Sequence, residues 1–201
     1  MRLLLLFILA SFLFNGCNEG ADLLTDKTYT AEKIGWTINL PGEKWKVMTT
    51  NELMGHYDVA NPKLDYTVNP DSTGTEYLIN LQKDISNFLM ASIQPFDSKK
   101  FSSYDQMLTE IHQVIKDAYD FEKIPAGYQI GATRIDGLML DRFAIRIPPK
   151  LSGDKLFFQE FYSCMIKNYV LLISLNYNNE NAKATLLNIL NSSNFTIKSD
   201  L

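Results

Sequence analysis

The sequence contains few side chains that bind transition metals. Its 201 residues include two cysteines, Cys17 and Cys164, and two histidines, His56 and His112. A zinc site needs three or four such ligands that converge on one point. We expect His56 in a loop and His112 beside the apolar stripe of a helix. A structural or solvated role is therefore favoured for both histidines, and zinc binding is the alternative.

Motifs that bind phosphate or nucleic acid are also missing. Neither G-x-x-x-x-G-K-[ST] nor G-x-G-x-x-G occurs, and these loops hold nucleotide phosphates in common folds. The 19 Lys and Arg residues against 23 Asp and Glu residues give a net charge of −4, without a basic cluster. Calcium binding by Asp65 and Asp71 stays open, although no EF-hand spacing supports it. We predict that the protein uses no cofactor and binds no nucleic acid.

The chain lacks a hydrophobic run long enough to span a membrane, but it begins with a short one. Residues 3–14, LLLLFILASFLF, are apolar or small and follow Arg2. This layout is typical of a signal peptide. Crossing ~30 Å of hydrocarbon takes roughly 20 apolar residues, so the run is too short to remain as an anchor. We predict that residues 1–16 are a signal peptide.

Cys17 is the predicted lipid anchor. Gly16 and Cys17 resemble the lipobox of bacterial lipoproteins, in which the cysteine is acylated and becomes the first mature residue. Phe14 and Asn15 depart from the usual aliphatic and small residues, and a cysteine that merely follows a signal peptide is the alternative. Each buried CH₂ of an acyl chain contributes ~0.8 kcal/mol to membrane binding. We predict a lipoprotein of the cell envelope of a Gram-negative, Bacteroidetes-like bacterium, with the outer membrane favoured and the face left open.

The remaining chain is predicted to form a tether and one domain. Residues 17–28 are polar and without periodicity, which indicates a tether that holds the domain close to the membrane. Residues 29–201 are long enough to bury a core as a single domain without disulfides. Once Cys17 is acylated only Cys164 remains, so no intramolecular disulfide can form.

Hydrophobic periodicity predicts strands in two blocks and two main helices. A period of 3.6 over residues 102–121 indicates a helix that Ser103 caps, with Gln106 three residues later. A second helix is expected to begin near Asn179, and a short helix or turn is expected at 51–62. Period-two alternation predicts strands at 36–40 and 44–48, joined as a hairpin by Pro41 and Gly42, then at 75–83 and 88–96, and a meander of four strands between 128 and 177.

The meander strands are apolar on both faces, as Phe157, Phe158, Phe161 and Tyr162 show. An antiparallel sheet with one face in water would carry polar residues at alternate positions. We therefore expect helices on both faces. The predicted fold class is α+β, with a central antiparallel sheet between helical layers.

The order of these elements and two stretches of sequence resemble the PsbP-like superfamily. TYTAEKIGWTINLPGEKWKV, residues 28–47, is similar to its opening strands, and LLNILNSSNFTI, residues 186–197, is similar to its closing helix. The superfamily includes PsbP, the Ran-binding nuclear import factor and DcrB-type bacterial lipoproteins. The resemblance covers nearly all of residues 29–197 and implies an α/β/α sandwich that binds or assembles other proteins. It identifies no site residue.

Charged residues that interrupt the apolar strands are candidates for a polar site. The carboxylates are Asp141 and Glu160, and alternation places Arg142 and Arg146 on the strand face opposite to Asp141. An unpaired buried carboxylate costs several kcal/mol. A structural Arg-carboxylate pair is therefore the leading interpretation, and a polar ligand pocket is the alternative.

Ser163 and Cys164 are the candidate nucleophiles. Neither stands in a G-x-S-x-G elbow, and both fall inside a predicted strand. Alternation groups Cys164 with apolar neighbours, so we expect a buried and inert thiol. Two loops are further candidates: PPKLSGDK, with Lys150 and Lys155, for partner binding, and DST, residues 71–73, which resembles a short O-glycosylation signal of some Bacteroidetes.

The sequence predicts a membrane-anchored lipoprotein whose non-catalytic domain binds a protein partner or assists assembly at the envelope. Lipidated Cys17 would bind the membrane, and no catalytic set is recognisable. Two alternatives stay open: a small-ligand pocket against the sheet, and an unrecognised hydrolase that uses Asp141, Glu160 or His56.

Overall fold

Alternation along the chain produces two antiparallel sheets and two helices. The structure is a computed structural model, and it describes residues 23–24, 27–42, 44–48, 74–148 and 156–196. The helices are α1 (Tyr104–Phe121) and α2 (Glu180–Asn191). The strands are β1 (Leu23–Leu24), β2 (Thr28–Ala31), β3 (Trp36–Asn39), β4 (Lys46–Met48), β5 (Glu76–Asp84), β6 (Asn87–Pro95), β7 (Gly127–Ile135), β8 (Leu138–Ile147), β9 (Phe157–Ile166), β10 (Tyr169–Tyr177) and β11 (Asn194–Phe195).

The large sheet has the strand order β4-β5-β6-β10-β9-β8-β7, and neighbouring strands are antiparallel. Strands β7, β8, β9 and β10 are consecutive neighbours, which confirms the predicted meander. Asp136 and Gly137 join β7 to β8 with φ angles of 46° and 83°. Both values are positive, as a two-residue type I′ turn requires.

The two helices lie on opposite faces of the large sheet. On one face, Ile115 of α1 packs with Phe143 and Ile145 of β8. On the other face, Leu186 of α2 joins the main core, which also contains Leu140 of β8. Leu140 and Phe143 differ by an odd number of residues and therefore face opposite sides. We name these two sides of the sheet the α1 face and the α2 face. A helix on each face confirms the predicted α+β sandwich.

Both helices begin where the sequence predicts. The Oγ of Ser103 accepts a hydrogen bond from the N–H of Gln106 at 3.1 Å, and the Oδ1 of Asn179 accepts one from the N–H of Ala182 at 2.8 Å. The side chain of Gln106 in turn accepts from the N–H of Ser102 at 2.8 Å. In a capping box this return bond goes to the cap residue itself, so here the box is shifted by one residue. Within the described residues, no helix has the length and apolar character needed to cross a membrane.

A smaller sheet, with the order β1-β2-β3-β11, joins distant parts of the chain. Phe195 of β11 pairs with Trp36 of β3, and β2 lies on the other side of β3. The predicted hairpin between 36–40 and 44–48 is wrong, because β2 and β11 occupy both edges of β3 and β4 pairs with β5 instead. The predicted tether also needs correction, since Leu23–Leu24 pair with β2 as a strand.

Trp36 is the central side chain of this junction. It is fully buried, and its Nε1 donates a hydrogen bond to the Oγ of Ser193 at 3.0 Å. The rings of Trp36 and Tyr29 are arranged edge to face, with centroids 6.1 Å apart. Gly35 has a φ of +64°, and a Cβ there would lie 2.6 Å from the Oγ1 of Thr196. Only glycine fits this crossing of two chain segments.

Candidate functional site

The two carboxylates that interrupt the strands lie on opposite faces of the large sheet. Asp141 of β8 pairs with Ser163 of β9 on the α1 face, whereas Glu160 lies an odd number of residues from Ser163 and therefore on the α2 face. Arg142 and Arg146 share the face of Glu160, as alternation predicts. Because the sheet separates their side chains, Asp141 and Glu160 do not form one pocket.

Glu160 is the centre of a buried hydrogen-bond network. Its carboxylate accepts from the Nε of Arg142 at 2.8 Å, from the hydroxyl of Tyr162 at 2.6 Å and from the hydroxyl of Tyr177 at 2.5 Å. The Glu160 side chain is only 5% exposed, against 24% for Arg142. Arg142 also donates to the Oε1 of Gln129 at 3.3 Å. The expected Arg-carboxylate pair is present, with Arg142 as the partner.

These contacts determine the protonation state of each group. Burial by itself would raise the pKa of Glu160, but the hydrogen bonds from Arg142, Tyr162 and Tyr177 outweigh it and lower the pKa from 4.5 to about 2. Burial, followed by the bond to the carboxylate, raises the pKa of both tyrosines above their ordinary value of 10. A general acid or base works best with a pKa near the operating pH. A carboxylate with a pKa of about 2 that accepts three hydrogen bonds is suited to holding strands together.

The two tyrosines of this network, Tyr162 and Tyr177, were not predicted from the sequence. Tyr162 follows Glu160 by two residues on the same face, so alternation carried a signal for it. Tyr177 comes from β10, where it pairs with Phe158, and its approach to Glu160 depends on a strand register that the sequence does not give. Arg146 is exposed, and the ion pair of Glu160 is made with Arg142.

A second polar group lies on the α1 face. The hydroxyl of Tyr104 donates to the Oγ of Ser163 at 3.0 Å, and burial, with a contribution from Asp141, raises the pKa of Tyr104. The ring of His112 stacks on Phe143, with centroids 4.3 Å apart and an angle of 19°. Serine, histidine and aspartate are the residue types of a hydrolytic triad, so their contacts decide what this group can do.

The contacts are those of a packed core and not of a triad. In the part of the chain that the structure describes, no hydrogen bond joins His112 to Ser163 or Asp141. Burial, with the nearby charge of Lys116, lowers the pKa of His112 below 6.5, so the ring is neutral at pH 7 and packs as an aromatic side chain. Ser163 is buried, and its hydroxyl is already bonded to Tyr104.

Cys164 has the inert environment that the sequence predicts. It is 4% exposed and forms no disulfide, and burial, with the charge of Asp141 contributing, raises the pKa of its thiol to about 12. The thiolate is the reactive form of cysteine, and almost none of it exists at pH 7. Across the described ranges, no group of three or more His, Cys, Asp or Glu side chains is arranged to hold a metal ion.

Exposed apolar side chains lie together at one corner of the α1 face. Asp141 and Ser163 are the last register partners of β8 and β9, and Met139 and Met165 lie two residues beyond them, on the same face and at the same end of the two strands. Ser163 bonds to Tyr104, the first residue of α1. Met139 and Met165 are 49% and 40% exposed, and Ile130 of β7, on the same face, is 61% exposed. Ala132 lies between them on β7 and is also exposed. We name Ile130, Ala132, Met139 and Met165 the corner patch.

Several predicted site residues lie outside the described residues, and the predictions about them stay predictions. They are the lipid anchor Cys17, His56, Asp65 and Asp71, the DST motif at 71–73, and the loop lysines Lys150 and Lys155.

The described residues form an α+β sandwich with a seven-stranded antiparallel sheet and one described helix on each face. The fold is PsbP-like, as the sequence resemblance implies. The chain is similar to cyanobacterial PsbP (CyanoP) from Synechocystis sp. PCC 6803 with a TM-score of 0.51 and 13% sequence identity, over 89% of this chain and 98% of that one.

Two further solved structures are similar over most of the chain. A protein from Bacteroides thetaiotaomicron gives a TM-score of 0.48 with 8% identity, over 87% of this chain and 50% of that one. LpqN of Mycobacterium tuberculosis, described as involved in cell envelope biogenesis, gives a TM-score of 0.35 with 14% identity, over 78% and 79% of the two chains. No protein-family model and no curated protein sequence matches the chain. The likeness to cyanobacterial PsbP, at 13% identity, shows the fold alone, and function has to be argued from the site.

Proposed function

We propose that this protein is a lipid-anchored protein of the cell envelope, and that its non-catalytic domain binds a protein partner through the corner patch. The observation that carries the proposal is the exposure of Met139 and Met165, which lie on the same face at the same end of the adjacent strands β8 and β9, beyond the hydrogen bond between Ser163 and the first residue of α1. Contiguous apolar side chains on a protein surface mark interaction sites. Methionine suits such a site because its flexible, polarisable side chain adapts to the partner.

The partner we propose is a protein that presents an apolar side chain to this corner. Arg134 of β7 pairs with Met139 at the edge of the patch, and Asp141, which pairs with Ala132, lies among the patch residues on the same face. Protein interfaces combine apolar contacts with polar and charged groups. We therefore expect an apolar contact on the partner, flanked by groups that pair with Arg134 and Asp141.

The hydrolase alternative has less support from the geometry. A hydrolase that combines Asp141 with Glu160 would need both carboxylates in one cleft, but they lie on opposite faces of the sheet. The carboxylate of Glu160 already accepts hydrogen bonds from Arg142, Tyr162 and Tyr177. The anchor part of the proposal depends on the short apolar run and on Gly16 and Cys17.

Replacing the anchor residue tests the location. We expect Cys17→Ser, made in the full chain, to leave the membrane fraction or to stay uncleaved, because the acyl chains that hold the domain at the bilayer can no longer be attached. Fractionation followed by mass measurement reads both results. The matched control is Cys164→Ser, which changes the other cysteine and should remain in the membrane fraction at the mature mass. Parental processing and fractionation of Cys17→Ser would contradict the lipoprotein assignment.

Placing a charge in the corner patch tests the binding surface. Met139→Asp should reduce recovery of a specific co-purifying protein from native membranes by about tenfold or more, which corresponds to a loss of ~1.4 kcal/mol in affinity. The control is Ile85→Asp, since Ile85 is an 86% exposed apolar residue in the turn between β5 and β6. Quantitative mass spectrometry compares the two variants with the parent.

The result that supports the proposal is one protein recovered with the parent and with Ile85→Asp but lost with Met139→Asp. Equal recovery with all three chains, at unchanged thermal stability, would show that the corner patch is not the binding surface.

A further inference from the structure

Within the part of the chain that the structure describes, strand β7 is a sheet edge with little of the usual protection. It is the outermost strand of the large sheet, and among the described strands it pairs only with β8. Most of its nine residues, GYQIGATRI, are exposed. Edge strands normally carry several charged side chains, especially lysine, or a proline, contain a bulge, are very short, or are covered by another segment. Arg134 is the one charged residue of β7. β7 has no lysine or proline, and its register with β8 is unbroken over its whole length, whereas the opposite edge, β4, has three residues.

The direction of the main-chain groups on this edge follows from the turn. The residues that flank a two-residue type I′ turn bond to each other, so Ile135 directs its N–H and C=O towards Leu138. Hydrogen-bonding direction alternates along an antiparallel strand. The outward N–H and C=O groups are therefore those of Tyr128, Ile130, Ala132 and Arg134.

We propose that β7 pairs antiparallel with β7 of a second copy of this chain, about a two-fold axis that passes midway between the two Gly131 residues. The four outward-bonding residues are distributed symmetrically about Gly131, so this register uses every one of them. Ile130 exchanges hydrogen bonds with Ala132 of the copy, and Tyr128 exchanges them with Arg134 of the copy. Any other self-pairing register leaves some of these groups without a bond.

Gly131 itself supports this axis. A glycine inside a strand weakens it, and such a residue often marks a bulge or the close approach of another backbone. The register at Gly131 contains no bulge, its φ is not positive, and nothing lies within 4 Å of the position of a Cβ. The described residues of its own chain therefore give no reason for glycine here. At the proposed axis the two Gly131 residues form a non-hydrogen-bonded pair, whose Cα atoms approach to about 4.5 Å.

The side chains along β7 also complement themselves in this register. Arg134 is the sole charged residue of β7, and the axis places it opposite Tyr128 of the copy, with the two arginines roughly 20 Å apart. Gln129 lies opposite Thr133, and Ile130 lies opposite Ala132. No two charged residues of β7 face each other, and each polar or apolar residue of β7 meets one of its own kind or an aromatic ring. A second copy is therefore an occupant that this edge fits.

The inferred dimer goes beyond the proposed function and does not depend on it. A two-fold axis perpendicular to the sheet keeps the α1 face of both copies on one side. The two corner patches then lie on the same surface, on either side of the axis. A partner or a membrane-anchored assembly would meet a doubled apolar surface.

A single cysteine at the axis tests the register. In the full chain in membranes, treated with a mild copper oxidant, Gly131→Cys should form a disulfide-linked dimer, because each new thiol meets its own copy within the Cα separation of about 4.4–6.8 Å that a disulfide needs. The matched control is Gln129→Cys, on the same strand and face, whose copies would be roughly 13 Å apart. We expect cross-linking of Gly131→Cys to be at least about tenfold faster than that of Gln129→Cys or of the parent, as read on non-reducing gels.

A second substitution separates strand pairing from random collision. Ala132→Pro, added to Gly131→Cys, removes an outward N–H without removing a bond to β8, and it should abolish the dimer, whereas Ala132→Ser should keep it. Circular dichroism of each purified variant confirms that it is folded. Folded Gly131→Cys that stays monomeric, equal cross-linking of Gln129→Cys, or a disulfide to a different protein would each overturn the inferred dimer.

Discussion

Glu160→Ala will lower the free energy of unfolding by about 3–5 kcal/mol, the usual cost of removing one partner from a buried ion pair. The substitution leaves the guanidinium of Arg142 without its carboxylate and deprives two tyrosine hydroxyls of their acceptor. These groups come from β8, β9 and β10, so their shared acceptor links three strands of the large sheet. Urea denaturation followed by far-ultraviolet circular dichroism measures the loss.

An exposed ion pair provides the matched control. Lys33 and Glu76 approach to 2.6 Å, but their side chains are 40% and 30% exposed. Exposed pairs contribute about 0–1 kcal/mol. Glu76→Ala should therefore cost far less than Glu160→Ala, although the ion pair of Glu76, at 2.6 Å, is shorter than the 2.8 Å pair of Arg142 and Glu160. Equal costs for the two substitutions would show that burial does not give the Glu160 network its strength.

The same carboxylate should make stability depend on pH. The pKa of Glu160 is about 2 in the folded chain against an ordinary 4.5, so its contribution is complete above pH 4.5 and is lost as the pH falls towards 2. The difference between the folded and the ordinary pKa corresponds to about 3 kcal/mol of folding stability. We expect the stability gap between the parent and Glu160→Gln to shrink by about this amount between pH 5 and pH 2. A gap that stays constant over this interval would contradict the assignment of the lowered pKa.

Trp36→Ala should destabilise the protein by about 3–5 kcal/mol, because a fully buried indole is lost and a cavity remains. The indole packs against Tyr29 and bonds to Ser193, so the cavity would open where β3 meets β11. Chemical denaturation again reads the change. A cost below about 1 kcal/mol would mean that the small sheet contributes little to the stability of the domain.

Two milder variants separate packing from hydrogen bonding at this site. Ser193→Ala leaves the indole N–H buried without an acceptor and should cost about 1–3 kcal/mol. Trp36→Phe removes the donor together with part of the ring. In the Trp36→Phe background, Ser193→Ala should cost much less than in the parent, since no unpaired donor is left.

Local patterns sufficed for the elements that are long and periodic. Alternation and the Asp136-Gly137 turn predict the meander of β7 to β10, and the residues around Ser103 and Asn179 predict where both helices begin. These features depend on neighbours within a few residues along the chain. Alternation also separates Asp141 from Arg142, and with them the two faces of the sheet.

Pairing between distant segments could not be predicted in this way. The hairpin expected after Trp36 fails because the true neighbour of β3 on one side is β11, which contributes two residues from the far end of the described chain. The hydrogen bond from Tyr177 to Glu160 could not be predicted for the same reason, because it depends on the β9–β10 register. The corner patch needs the position of α1 over the sheet, which is a property of packing.

The contact between Trp36 and Ser193 also limits how early the smaller sheet can form during synthesis. The two residues are 157 positions apart, and a ribosome that adds about 5–20 residues per second needs roughly 8–30 s to make that interval. Until then β3 lacks β11 and the indole has no hydroxyl to bond. The nascent chain therefore cannot complete its smaller sheet until nearly all of it has been synthesised.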